Sequence, residues 1–273
     1  MLKKALLGLV LAAMLAGCAS SPTGRRQLML VSEDQAIGAS RQAYVQEVNK
    51  YKAEGKLVTD PKVLNRVKLI TERLVAQAIK ARPDSANWQW SVAVIDDPKN
   101  VNAWCMAGGR MAVYTGLLIK IDPTDDELAQ VMGHEIAHAL ANHTAERMSV
   151  AMASSAGVIA AGILSDKPGV AMASAAAAAK LAVELPNSRT SESEADQIGI
   201  ELAAKAGYDP RASVTLWQKM GAVGGEGPPA FLSTHPTDAQ RQQRLGALVP
   251  GMMPHYESNV TRPRHPVSVG VAN

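Results

Sequence analysis

The chain has 273 residues, of which 47% are hydrophobic, 19% charged and 4% aromatic, with a formal net charge of +3. These proportions exclude a disordered or fibrous chain, and one principal domain is the expectation at this length. The basic residues are scattered rather than gathered into a stripe with interleaved aromatics, which argues against nucleic acid as a partner. With a single Phe, the core must be built from Leu, Ile, Val, Met and Ala, a mixture suited to closely packed helices.

Residues 1–17 read as a targeting segment. Lys3 and Lys4 precede a short apolar run, and Leu15-Ala16-Gly17-Cys18 closes it with small residues before a cysteine. The run is shorter than the roughly 20 apolar residues that cross a bilayer, which argues against a retained anchor, and Leu-Ala-Gly-Cys resembles the bacterial lipobox, so the reading is a lipoprotein signal with Cys18 as the acylated first residue of the mature chain, and the alternative a secretory signal in which Cys18 is incidental. Its acyl chains would make a membrane the partner of that residue. Ala19 and Ser20 follow the cysteine where an Asp would mark retention, which by resemblance to sorted lipoproteins favours the outer membrane. Residues 18–31 read as the lipidated N-terminus and a tether. Cys105 is then the remaining thiol, so no disulfide framework is available, and it reads as a small buried hydrophobe.

Ser32-Glu33-Asp34-Gln35 resembles a capping box opening a helix to about Tyr51, and Asp60-Pro61 opens a second to about Ala81. Residues 88–95 alternate and read as a strand, followed by the turn Asp96-Asp97-Pro98-Lys99-Asn100. Residues 102–106 and 110–114 read as two short strands around Gly108-Gly109. Beyond Thr115 the signals are nearly all helical.

Asp125 is placed to cap a helix over residues 127–140 that carries His134-Glu135-Ile136-Ala137-His138. Histidines four residues apart lie about 40° apart around a helix, one turn above the other, so both imidazoles reach one metal ion. Glu135 is displaced by one position, and its carboxylate reaches a coordinated water instead of the metal. Zinc brings the pKa of such a water towards roughly 7, so Glu135 can take its proton and deliver it to the leaving amine of a peptide. Val131, Ile136, Ala137, Leu140 and Ala141 are apolar, so this helix is expected to be buried, where its ionisable groups need partners. His143 is about 140° round from His138 on a continued helix, and reads as a surface residue or one lying behind the ligands.

Residues 148–185 are almost uncharged and rich in Ala, Gly, Ser and Met, with a break at Ser165-Asp166-Lys167-Pro168-Gly169. They read as two helices, each short for a bilayer and too rich in alanine to insert strongly. A further helix opens at Ser188 and runs to about Ala206, stopped by Gly207 with Pro210 soon after. Glu192 and Asp196 lie on one of its faces. Glu192 is the candidate third zinc ligand, leaving one coordination position open, and Asp196 the acceptor for the outer nitrogen of a ligand histidine; Glu194 points elsewhere. Residues 221–229 form a Gly and Pro loop with no phosphate-binding pattern. Residues 250–273 carry four prolines and no apolar period, so they read as a flexible tail in which His255 and His265 are solvated.

The motifs resemble those of the gluzincin zinc metallopeptidases of the HtpX, BepA and LoiP type. Their histidine-glutamate helix and Ser-Arg-x-x-Glu-x-x-Ala-Asp pattern are matched by His134, Glu135, His138, Ser188, Arg189, Glu192, Ala195 and Asp196. Asn102-Ala103, Gly108-Gly109 and Tyr114-Thr115-Gly116-Leu117-Leu118 resemble the strand region beside their cleft, and Thr234-His235-Pro236 with Arg241 their C-terminal His-Pro motif. Ala107 departs from the proline that usually precedes the paired glycines. The resemblance covers about residues 32 to 248. It implies a mainly α (α+β) fold, with a zincin-type helical metallopeptidase domain over residues 32–249, a small β-sheet beside the active-site cleft and one zinc ion per chain. It implies that His235 lies near the zinc, stabilising a tetrahedral oxyanion or occupying the open position in a latent state, and that Arg241 supports the site.

For a lipoprotein of this type, the resemblance implies hydrolysis of misfolded or misassembled envelope proteins from the periplasmic side of the outer membrane. The alternative is a chaperone-like assembly factor for outer-membrane proteins that cleaves rarely; a cell-wall amidase fits the motifs less well. In integral-membrane relatives the stretch corresponding to residues 148–185 supplies membrane spans, and in periplasmic ones a helical cover over the cleft. The cover is the expectation here, with interfacial membrane contact as its alternative.

Overall fold

Side chains that cap helices account for where most of the elements begin. In the computed structural model, which describes residues 18–164, 188–223, 229–235, 240–258 and 261–270, Ser32 accepts from the backbone of Gln35 and the Gln35 side chain returns a bond to Ser32. That reciprocal pair opens α1 (Glu33–Ala53). Asp60 accepts from the backbone of Lys62, and Pro61 fills the first position of α2 (Pro61–Ala81). α3 (Asp125–Leu140) is capped by Thr124, not by the expected Asp125. The threonine has Glu127 three residues on, and the two exchange hydrogen bonds at 3.2 and 2.9 Å, a spacing that Asp125 lacks. α4 (His143–Leu164), α5 (Arg189–Lys205) with Ser188 as its cap, α6 (Ala212–Ala222), α7 (Ala230–Thr234) and α8 (Arg241–Glu257) follow.

The signal segment, the second half of the 148–185 stretch, most of the 221–229 loop and Pro236 lie outside the described residues. Among the described residues, no helix is long and apolar enough to cross a membrane.

Residues 18–31 do not form a simple tether. β1 (Cys18–Ser20) and β2 (Arg26–Leu28) pair as an antiparallel hairpin, and Gln27 in β2 donates to the carbonyl of Ala141 at 2.7 Å. A four-stranded sheet is built from β3 (Ser91–Ile95), β4 (Ala103–Met106), β5 (Arg110–Tyr114) and β6 (Ser268–Val269), in the order β4-β5-β3-β6. β3 runs parallel to β5 and β6, and β4 runs antiparallel to β5. The expected strand over 88–95 is shorter because Pro83–Asn87 coil into a 3₁₀ turn and the Trp90 indole turns back to the carbonyl of Ser85 at 2.9 Å. Gly109, at φ +81°, lies against that indole, where a Cβ would stand 2.5 Å from the ring, so the second of the paired glycines is required by both conformation and space.

β3 and β5 are buried on both faces, as strands inside a helix-covered sheet are. On one side Tyr44 and Val48 of α1 pack on Ala93, Ile95, Ala112 and Tyr114. On the other, Val67, Ile70 and Leu74 of α2 and Leu128, Met132 and Ile136 of α3 cover Val92, Val94, Met111 and Val113. The fold is therefore mainly α with a small mixed sheet, as expected.

The C-terminal region departs from the flexible tail read from its prolines. α8 continues through Pro250 and Pro254, and residues 261–270 return to the sheet to supply β6. Arg262 explains the order: its guanidinium donates to the carbonyls of His255, Tyr256 and Ser258 at the end of α8 and of Lys205 at the end of α5. Helix ends leave such carbonyls without intrahelical donors, and one side chain satisfies two of them at once.

α3 and α5 touch backbone to backbone. A Cβ on Gly199 would lie 2.8 Å from the amide nitrogen of His134, and one on Gly133 would lie 2.9 Å from the carbonyl oxygen of Gly199. The Gly199→Ala change must push the helices apart, an overpacking that costs about 1–3 kcal/mol and lowers the melting temperature by roughly 2–12 °C. Gly38 in α1 has open space around it, so Gly38→Ala is expected to be neutral or slightly stabilising. Equal thermal unfolding of the two variants would contradict the tight crossing.

Candidate metal centre

The crossing of α3 and α5 determines what the site contains. His134 and His138 stand one turn apart on α3 with their Nε2 atoms 3.0 Å from each other. Glu192, in the first turn of α5, brings Oε2 to 3.4 Å from His134 Nε2 and Oε1 to 3.3 Å from His138 Nε2. His235, at the end of α7, places Nδ1 3.0 Å from Glu192 Oε1 and 3.3 Å from His134 Nε2, with its ring stacked on Phe231. One ligand atom from each of these four residues lies within 4.8 Å of the others, and all four residues are buried.

Such a set fits a metal ion on the chemistry of its donors. Two imidazole nitrogens face each other at hydrogen-bond distance, and a carboxylate aims both its oxygens at them, which is the nitrogen and oxygen environment that zinc takes. The cluster can hold one zinc ion.

Arg241, the first residue of α8 and only 1% exposed, donates through Nη1 to Glu192 Oε2 at 3.1 Å and through Nη2 to Asp196 Oδ1 at 2.6 Å. Its guanidinium lies 3.6 Å over the ring of Trp217, a cation–π contact in a desolvated setting. Asp196 Oδ1 is also 3.0 Å from His134 Nδ1. The expected partnership of Asp196 with the outer nitrogen of a candidate ligand is therefore present in the geometry. Arg241 bridges the two carboxylates of α5, and burial of those charges requires such a partner.

The local field differs strongly from group to group. Burial works against a charged His134, but the Glu192 carboxylate and the hydrogen bond to Asp196 lift it to about 9. Burial and the neighbouring His134 push His138 well below its ordinary value. Glu192, despite burial, is held far below the usual carboxylate range by His134 and its hydrogen bonds to the three histidines. Burial pushes the Glu135 carboxyl up, with His235 and His134 opposing. Its Oε1 is buried without a hydrogen bond, 3.3 Å from His235 Nε2. Cys105 is buried and its thiol is pushed up by that burial, as a structural cysteine's would be.

A cleft of about 520 Å³ opens beside the cluster. Ala39, Ser40 and Ala43 of α1 line one side and residues of β4 the other, with Glu135, His138 and His235 also lining it. β4 is an edge of the four-stranded sheet.

His143 is not a surface residue. The count of 140° assumed one continuous helix, whereas α3 ends at Leu140 and Asn142, at φ +55°, redirects the chain so that His143 opens α4. It is buried, with Nδ1 2.8 Å from His138 Nδ1 and Nε2 3.1 Å from Glu194 Oε2. Glu194, which points away from the histidine pair as expected, is buried too and accepts from Thr23 at 2.6 Å and Arg25 at 2.8 Å. No local signal in the chain marks Thr23, Arg25 or Glu194, since their partners are 51 to 171 residues away. His255 and His265 stand outside the cluster.

A folded-state value of about 9 for His134 against 6.5 for the free side chain has a definite sign in the metal-free protein. Its contribution to stability is present in full below pH 6.5 and is lost as pH rises to about 9. A zinc ion must displace the same proton. Apparent zinc affinity, read by competition with a chelating dye, is expected to rise across this window by up to about tenfold per pH unit. An affinity flat over the window would contradict the proton on His134.

The chain is similar to metalloendopeptidases and to beta-barrel assembly-enhancing proteases. Mitochondrial metalloendopeptidase OMA1 of Arabidopsis thaliana is 39% identical over 158 residues, covering 57% of this chain and 31% of that protein. The human metalloendopeptidase OMA1 is 33% identical over 240 residues, 84% of this chain and 45% of its own length. The beta-barrel assembly-enhancing protease of Yersinia pestis is 28% identical over 217 residues, 76% of this chain and 43% of its own. The chain thus spans between about a third and a half of the length of these relatives. The model of peptidase family M48 matches residues 61–249, a span that includes His134, Glu135, His138, Glu192, Asp196, His235 and Arg241. The chain belongs to peptidase family M48.

Proposed function

We propose that the protein is a zinc-dependent metalloendopeptidase. The observation that carries this reading is the buried convergence of His134, His138 and Glu192, with Glu135 beside them and a cleft leading to both. The two histidines and Glu192 would hold the ion. Zinc, when bound, supplies an acidified water and polarises the scissile carbonyl. Glu135 is the general base, and its position in a buried pocket, with a carboxyl raised by that burial, suits a group that takes a proton and later returns it to the leaving amine. Asp196 fixes His134 with its proton on Nδ1, and Arg241 holds Asp196 and Glu192 in register. An extended peptide would lie along the outer edge of β4, beside the cleft.

His235 occupies a place among the metal donors rather than standing off in the cleft. That supports the latent role over the oxyanion role, since four side chains, His235 among them, would then hold the ion. α4 begins beside the cleft, with His143, Thr144 and Arg147 among its lining residues.

Placement in the bacterial envelope rests on the Leu-Ala-Gly-Cys pattern ending at Cys18 and on the likeness to the Yersinia beta-barrel assembly-enhancing protease; the OMA1 relatives are mitochondrial. On that placement, lipidated Cys18 holds the enzyme to the outer membrane facing the periplasm, and its substrates are misfolded envelope proteins. The closed arrangement of His235 also favours a second reading, a chaperone-like factor that binds outer-membrane clients and cleaves them rarely.

Cleavage of casein and of an unfolded outer-membrane protein is the direct test, with bound zinc counted in each sample. The Glu135→Gln variant is expected to keep one zinc while cleavage falls by about 10²–10⁴-fold. A variant that cleaves like the parent would overturn the role of Glu135. Zinc-loaded parent protein that binds the unfolded client without cleaving it would put the chaperone-like reading first.

A further inference from the structure

The two candidate ligand histidines are supported differently. His134 has a carboxylate directly behind it, with Asp196 Oδ1 at 3.0 Å from Nδ1. Behind His138 stands a second imidazole, and only then a carboxylate: His138 Nδ1 to His143 Nδ1 is 2.8 Å and His143 Nε2 to Glu194 Oε2 is 3.1 Å. Taking His138 as a metal ligand, as proposed above, determines every proton in this row. A ring nitrogen that binds an ion uses its lone pair, so Nε2 of His138 is bare and Nδ1 carries the hydrogen. Nδ1 of His143 must then accept, which places the hydrogen of His143 on Nε2, facing Glu194. Glu194 accepts it, and all three members are buried.

The row does not end there. Glu194 is gripped from its far side by the N-terminal hairpin. The Thr23 hydroxyl donates to Oε1 at 2.6 Å and Arg25 Nε to Oε2 at 2.8 Å. The guanidinium of Arg25 then forks onto Glu146, with Nη1 to Oε1 and Nη2 to Oε2 both at 2.6 Å. Gln27 joins that carboxylate at 2.9 Å while bonding the carbonyl of Ala141, just past the end of α3. A bidentate arginine pair of this kind fixes geometry as well as charge, and one guanidinium here spans two carboxylates on two different helices. Without it Glu194 and Glu146 would be like charges facing each other across the start of α4.

We infer that His143, Glu194 and Arg25 are positioning residues for the metal ligand His138, so that the hairpin at residues 18–28 is a working part of the metal site. None of the three is among the donors that would hold the ion. They act by holding one imidazole in the tautomer and orientation that coordination needs, and outer partners of this kind typically change metal affinity by 10- to 100-fold when removed. The hairpin begins at Cys18, the residue read as the lipid anchor, so the segment that would carry the anchor also steadies a ligand.

The experiment is zinc affinity of the full-length protein in detergent, by competition with a chelating dye, alongside kcat, KM and the thermal unfolding of each metal-free variant. His143→Ala is expected to weaken zinc binding by about 10- to 100-fold. Glu194→Gln keeps the shape and an acceptor oxygen but loses the charge, and is expected to give a smaller loss of about tenfold, the lower end of that range. Arg25→Ala should match Glu194→Gln, and Arg25→Lys, which cannot hold both carboxylates, should recover only part of the loss. KM should stay near the parent value while kcat at limiting zinc falls. Wild-type zinc affinity in Glu194→Gln and Arg25→Ala would overturn the inference, as would losses that only track the unfolding of the metal-free form. A parent protein that binds no zinc, or binds it equally in a His134→Ala variant, would instead overturn the metal site on which the inference rests.

Discussion

Glycine against glycine at the crossing of α3 and α5 sets how far Glu192 stands from the histidine pair, and most of the site follows from that distance. Packed helices usually keep their axes 8–10 Å apart; Gly133 and Gly199 leave no side chain between the two backbones. A carboxylate on the first turn of α5 then comes within 3.3–3.4 Å of both imidazoles. The same approach carries Asp196, one turn further along, to the back of His134. Two carboxylates so placed are buried, and burial of unpaired charge is unfavourable by many kcal/mol. Arg241 answers that constraint from a third helix, and the Trp217 ring beneath it replaces part of the lost hydration.

The sheet positions the other half of the site. α3 lies across β3 and β5 through Leu128, Met132 and Ile136, so the face of α3 that carries the histidines is turned away from the sheet and towards α5. β4 stays at the edge of the sheet, beside the cleft that also holds Glu135 and His138. A scaffold of this kind sets the edge of a strand beside a cluster of fixed, oppositely charged groups. The N-terminal hairpin and α8 brace that cluster from opposite sides, through Arg25 and Arg241 respectively.

What could be read in the chain was local. The spacing of His134, Glu135 and His138, the capping pattern at Ser32, the stop at Gly207 and the shared face of Glu192 and Asp196 depend on residues within a few positions of one another, and each has its expected counterpart in the fold. Thr124 took the cap expected of Asp125 because the reciprocal pair needs Glu127 at the third position. His143 was misplaced on one of its two readings because helical counting cannot foresee the reversal at Asn142. The hairpin at residues 18–28 and the ordered C-terminal region were invisible for a different reason: Arg25 is an ordinary basic residue until Glu146 and Glu194, over a hundred residues away in sequence, are brought to it, and Arg262 until Lys205, more than fifty residues away, joins the nearby carbonyls that it also holds. Arg241 and His235 fell between these cases, since their neighbourhood to the zinc motif came from the family likeness and not from spacing.

The central claim is that two histidines of α3 and one glutamate of α5 close around a single ion. Anomalous diffraction at the zinc absorption edge, from crystals of the zinc-loaded protein, tests it most directly. The account predicts one strong peak per chain, bonded by Nε2 of His134, Nε2 of His138 and a carboxylate oxygen of Glu192 at about 2.0–2.2 Å, with Glu135 near but not coordinating. A peak held instead by His143 and Glu194, or a zinc-loaded chain with no peak between α3 and α5, would contradict it.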